Sequence, residues 1–66
     1  MFNEKKFRLV LFEKGVSLQE IAALIGTTSV TLYRKMSGES DFYRKEISQI
    51  CDFIGREYLV DIFFAE

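Results

Sequence analysis

Few of the 66 residues carry side chains able to make or break bonds: there is no histidine, and Cys51 is the only cysteine. With no His base, no Gly-rich phosphate loop and no Ser, His and Asp set, catalysis would fall to scattered carboxylates or to one thiol, so an enzyme is not expected. One cysteine can close no internal disulfide and cannot supply the clustered His and Cys ligands of a zinc site. No cofactor, metal or small-molecule ligand is implied, and Cys51 reads as a small core residue on an apolar stripe. What remains is charge. The formal net charge of −1 and a pI near 5.4 argue, taken alone, against a polyanionic partner. The average hides a split, since residues 1–45 hold eight basic residues against five acidic ones and residues 46–66 hold one against five. The first two thirds could face an anion while the tail faces away from it.

Charges act together only where a fold gathers them on one face. A chain of this length makes one domain, and 48% hydrophobic content with seven Phe and three Tyr supplies a small core and excludes a disordered chain. Apolar runs such as Leu9 to Phe12 and Ile62 to Ala65 fall far short of the roughly 18 to 20 residues needed to span a bilayer, and Glu4 spoils a signal peptide. A reduced, cytoplasmic protein is expected.

There is no proline, and four glycines stand at 15, 26, 38 and 55, the spacing of short helices ended by a left-handed residue. Asn3 caps a first helix over about 4–14, with Phe2 and Phe7 placed as a hydrophobic staple. Phe7, Val10 and Leu11 face its core side, and Leu9 and Phe12 fall to the side. Ser17 and Glu20 form a capping box for a second helix over about 18–25, lined inward by Leu18, Ile21 and Ile25, with Ala22 and Ala23 leaving room for a crossing helix. After Gly26, Thr28 caps a third helix over about 29–37. With Leu32 set at zero on a wheel, Met36 falls at about 40° while Val30, Arg34 and Ser37 fall near 160°, 200° and 140°, so two apolar contacts face in and a polar face looks out. A fourth helix over about 43–54 buries Ile47, Ile50, Cys51 and Ile54; Tyr43 is a poor cap and Asp41 a good one placed early. The stretch 57–64 shows Leu59, Ile62 and Phe63 on one helical stripe, although its β-branched and aromatic residues also permit a strand.

The segment 17–38, SLQEIAALIGTTSVTLYRKMSG, joins two capped helices through a glycine turn. It resembles the helix-turn-helix of the Cro and phage-repressor (Xre-type) family, carried by Ser17, Glu20, Ile21, Ala22, Ile25, Gly26, Thr28, Thr31, Leu32 and Gly38. The turn Lys14 to Val16, the stretch Ser40 to Phe42 with Glu46 and Ile47, and the closing Ile62, Phe63 and Phe64 look like a subgroup from Gram-positive phages. The resemblance implies an all-α, compact five-helix, lambda-repressor-like domain over residues 1–66. Its third helix would enter the DNA major groove, which is about 12 Å wide.

By the same resemblance the base-contact positions fall on Ser29, Val30 and Arg34, and phosphate contacts on Thr28 and Ser37. A guanidinium at Arg34 can bond both O6 and N7 of guanine, the Val30 isopropyl group can touch a thymine methyl, and Ser29 can bond any base weakly. The family often offers a Gln where this chain has Leu18, and Gln19 is the neighbouring substitute. It often has an apolar residue where this chain has Lys35, so packing passes to Met36. Arg44 and Lys45 could hold the backbone, at a cost against the helix dipole of about 0.3–1 kcal/mol each, and Tyr33 lies at the rim. Of Leu59, Ile62, Phe63 and Phe64, the adjacent phenylalanines cannot both point inward, so one seals the core and the other is left for a partner. The expectation is a homodimeric, double-stranded DNA-binding transcriptional regulator of a bacterial cell, associated with the nucleoid. The alternative is a protein-interaction module, such as an antirepressor, that kept the fold and lost DNA.

Overall fold

The computed structural model describes all 66 residues: α1 Glu4–Lys14, α2 Leu18–Leu24, α3 Ser29–Met36, α4 Arg44–Ile54 and α5 Leu59–Phe63, with a 3-10 turn over Arg56–Tyr58 leading into α5 and no strand. The all-α, five-helix expectation holds, and the open choice for the last stretch resolves to helix.

Local sequence sets the helix ends. The Asn3 carboxamide accepts the Lys6 N–H at 3.0 Å, and the Phe2 and Phe7 rings meet edge to face with centroids 5.3 Å apart, the staple expected at that spacing. Ser17 and Glu20 cap each other's backbone at 3.1 and 2.7 Å, and the Thr28 hydroxyl accepts the Thr31 N–H at 3.2 Å. Gly26 stops α2 at φ 75°, which lets the Thr27 N–H reach back to the Ala22 carbonyl at 2.9 Å. A side chain in that left-handed conformation would be strained.

Twelve apolar residues form one core: Phe7, Val10 and Leu11 of α1, Ile21 and Ala22 of α2, Leu32 and Met36 of α3, Ile50, Cys51 and Ile54 of α4, and Ile62 and Phe63 of α5. The two ends of the chain close on each other. The Asn3 N–H donates to the Ile62 carbonyl at 2.6 Å, and the Phe63 ring sits among Phe2, Phe42 and Phe7 with centroids 5.4, 5.3 and 6.3 Å away.

Several expectations need correction. Helices two and three end one residue early, with Ile25 and Ser37 as C-caps, a difference within the fraying of any helix end. The fourth helix starts at Arg44; Tyr43 is its N-cap and provides no side-chain cap, so Glu46 turns back to accept the Tyr43 N–H at 2.9 Å. Ala23 is exposed, leaving Ala22 alone as the small residue under the crossing, and Leu18, Ile25 and Ile47 are half-buried at the edge of the core. Lys35, expected outside the packing of α3, is 5% exposed.

Candidate functional site

Two short helices with a tight connection, Ile25 to Thr28, set up the candidate surface. α3 packs mainly on α2. Ile21 and Ala22 on one side and Leu32 and Met36 on the other are buried, so α3 is held by one face and the opposite face projects. On that face Val30 is 60% and Tyr33 47% exposed, and Arg34 is exposed between them and the C-cap. Single apolar side chains in water are ordinary on a protein surface, so what sets this face apart is Arg34 beside Val30 and Tyr33 on a helix packed by its other side. Ser29, at the inner edge, is half-buried.

The ion pairs of the molecule join Glu4 to Arg8, Glu46 to Lys35 and Asp52 to Arg56. Arg34, Arg44 and Lys45 therefore have no acidic partner within the chain. Lys45 and Gln49 edge an open cleft that also takes in the end of α2, from Ala23 to Gly26. Arg44 faces a different cleft, lined with Ile47, Cys51, Arg56, Leu59 and Phe64. Both basic residues at the start of α4 were expected as backbone contacts. They diverge, because successive helical residues point about 100° apart.

The hydroxyls assigned to an anion are already engaged. Thr28 Oγ1 accepts the Thr31 N–H and donates to Thr31 Oγ1 at 3.1 Å. Ser37 Oγ donates to the Arg34 carbonyl at 3.1 Å, covering an acceptor at the end of α3. Neither hydroxyl hydrogen is free, so Thr28 and Ser37 act first as helix caps. At the first turn of α3 the free donors are the backbone N–H groups of Ser29 and Val30, since the Thr31 N–H is held by the Thr28 hydroxyl. Gln19 is exposed on the first turn of α2.

Electrostatics depart from the sequence reading at one place. Lys35 and Glu46 are the two buried charged residues. The ammonium of Lys35 lies 3.0 Å from Glu46 Oε1, donates to the Asp41 carbonyl at 2.9 Å, and sits 4.0 Å from the centroid of the Tyr43 ring. With that pair removed from the surface, residues 1–45 expose seven basic against five acidic residues, and residues 46–66 one against four. The polarity of the split survives at reduced size. The wheel carried the signal for Lys35, which falls about 60° from Leu32, on the apolar side of α3. Its partner lies in another helix, beyond the reach of local pattern.

Of the four C-terminal residues, Ile62 and Phe63 are core, Leu59 is half-buried and Phe64 is 55% exposed beside Val60 at 63%. Cys51 is fully buried, and burial pushes its thiol pKa up from 9.0, with nearby Arg56 pulling down and Asp52 pushing up more weakly. No three or more His, Cys, Asp or Glu side chains are grouped to hold a metal ion, and no helix is long and apolar enough to cross a membrane. Compared with family models, with curated proteins and with solved structures, the chain matches none.

Proposed function

We propose that this chain is a sequence-specific double-stranded DNA-binding transcriptional regulator of the Cro and phage-repressor kind, acting at the nucleoid of a bacterial cell. α2 and α3 are its helix-turn-helix, and α3 lies in the major groove. The carrying observation is the outward face of α3, where Arg34 has no partner in the chain while Leu32 and Met36 fix the opposite face. In this reading Arg34 bonds a guanine edge, Val30 meets a thymine methyl, and Ser29 adds a weak contact. Gln19, Lys45 and the first-turn amides of α3, with Thr28 and Ser37 as the caps that shape its ends, hold the phosphate backbone; Arg44 contributes charge from the α5 side. Tyr33 lies at the rim.

The protein acts as a homodimer, with Phe64 and Leu59 on the contact, matching two half-sites about 34 Å apart. Occupying an operator excludes polymerase. The second reading, an interaction module without DNA, is favoured by three exposed phenylalanines, Phe12 at 84%, Phe64 at 55% and Phe53 at 53%, on a chain of net charge −1.

Selection of bound duplexes from a random pool, followed by titration across salt, tests the proposal. An enriched sequence is expected, with log K falling against log salt at a slope of roughly −4 to −7 for about 4–8 neutralised phosphates per dimer. No enrichment and no retention on heparin at low salt would sink it and favour the interaction module.

A further inference from the structure

We infer that the buried Lys35–Glu46 pair is a positioning device that fixes the rotation of α3 about its own axis, and so decides how Arg34 is presented; the consequence for base reading rests on the proposed DNA function. Leu32 and Met36 alone do not define that rotation. They lie about 40° apart on the helix, and apolar contact has no preferred direction. Lys35 grips α3 from the flank. Its ammonium meets the Glu46 carboxylate at 3.0 Å, the Asp41 carbonyl at 2.9 Å and the Tyr43 ring at 4.0 Å, so the end of α3, the α3–α4 connection and the first turn of α4 converge on one cation. Glu46 Oε1 also accepts the Tyr43 N–H at 2.9 Å, which ties the carboxylate to the cap of α4.

No buried side-chain polar atom is left without a partner, so the pair is fully satisfied in the arrangement seen. A turn of α3 that carried Lys35 off these acceptors would strand an ammonium in the core. Arg34 is the adjacent residue and shares every rotation of the helix. A buried ion pair seldom adds stability over an apolar pair of the same volume, whereas its directionality can select one packing over its neighbours.

The test uses the full chain with Lys35→Met and Glu46→Gln together, which removes both charges while a Gln amide oxygen can still accept the Tyr43 N–H. Amide hydrogen exchange is read first, without DNA. Residues 33–40 should exchange about tenfold faster or more, with the amides of Val10 and Leu11 unchanged. Binding is read second. Discrimination between the preferred duplex and its variant at the base pair assigned to Arg34 should fall about tenfold, while affinity for random duplex stays within about twofold. Unchanged exchange over residues 33–40 overturns the inference in every case. Faster exchange with undiminished discrimination also overturns it, since α3 would then be loosened without a change in what Arg34 meets. If the unmodified chain prefers no duplex, the DNA reading fails by itself, and exchange alone decides whether the pair holds α3.

Discussion

The two flanks of this small fold are held by different physics. Where the chain ends meet, α1 and α5 close through Phe2, Phe7, Phe42 and Phe63, with one backbone hydrogen bond from Asn3 to Ile62. Where α3 meets α4, a lysine, a carboxylate and a carbonyl converge. Asp41 and Phe42 are neighbours in sequence, yet the first gives its carbonyl to the polar flank and the second its ring to the apolar one. Aromatic packing is strong and tolerant of small rotations, so it supplies stability. Hydrogen-bonded charge adds little net stability but is intolerant of direction, so it supplies orientation. The orienting flank lies beside the exposed face of α3.

The largest expected effect lies on the apolar flank. Phe63→Ala should destabilise the fold by about 3–5 kcal/mol, enough in a domain this small to leave much of the chain unfolded at room temperature. Phe64→Ala, one residue on and 55% exposed, should shift stability by about 0.5 kcal/mol or less in the monomer. It should lower the mass in solution if Phe64 is the dimer contact. Urea unfolding with sedimentation on both variants checks the contrast, and equal destabilisation by the two would break it.

On the polar flank, Lys35→Met alone leaves the Glu46 carboxylate buried without its cation. A loss near about 3 kcal/mol is expected, at the low end for a broken buried pair because the carboxylate keeps the Tyr43 N–H. The doubly substituted chain should recover most of it. If the single and double variants unfold at the same urea concentration, the pair is not coupled and the comparison between flanks fails.

Arg34→Ala touches neither flank and should leave unfolding unchanged. It should remove about 1–3 kcal/mol of preference at one base pair per half-site, with binding to random duplex comparatively intact. Titration against single-base operator variants reads this directly. An equal loss on every duplex would make Arg34 an electrostatic contact only.

Local devices were legible in the sequence: the Asn3, Ser17 with Glu20 and Thr28 caps, the Phe2–Phe7 staple and the glycine stop at Gly26 all act within a few residues. Tertiary choices were not. Lys35 stood on the inner side of the wheel, but its residue type argued for solvent, and the partner that reverses that expectation lies 11 positions along in α4. Phe42 follows a polar connection and shows no helical pattern, so its place among the aromatic rings was invisible. Thr28 and Ser37 were assigned to phosphate by resemblance, while the same hydroxyls serve helix ends by local geometry. Type and spacing define helices well, and cross-chain pairing decides which charges remain outside.

The smallest effect concerns the thiol that the apolar core leaves without a charged partner of its own. Cys51 is fully buried, and burial holds its pKa above 9.0 in the folded chain. The unfolded chain releases the thiol proton at about its ordinary value while the folded chain keeps it, so above about pH 9 the native state binds more protons than the unfolded one. Stability contributed by the neutral thiol is therefore complete below about pH 8.5 and declines as pH rises through 9 toward the raised native value, by at most about 1.4 kcal/mol per pH unit. Tyrosines and lysines titrate nearby and alter the total, so the readout is the difference between the unmodified chain and Cys51→Ala. That difference contains a constant loss for the smaller side chain and a part that depends on Cys51 ionisation alone. Urea unfolding of both chains from pH 7 to 10 should show the gap constant up to about pH 8.5 and narrowing beyond it. A gap that stays constant to pH 10 would mean that the thiol ionises as readily in the core as in water, and that the interior beneath α4 is less dry than its packing implies.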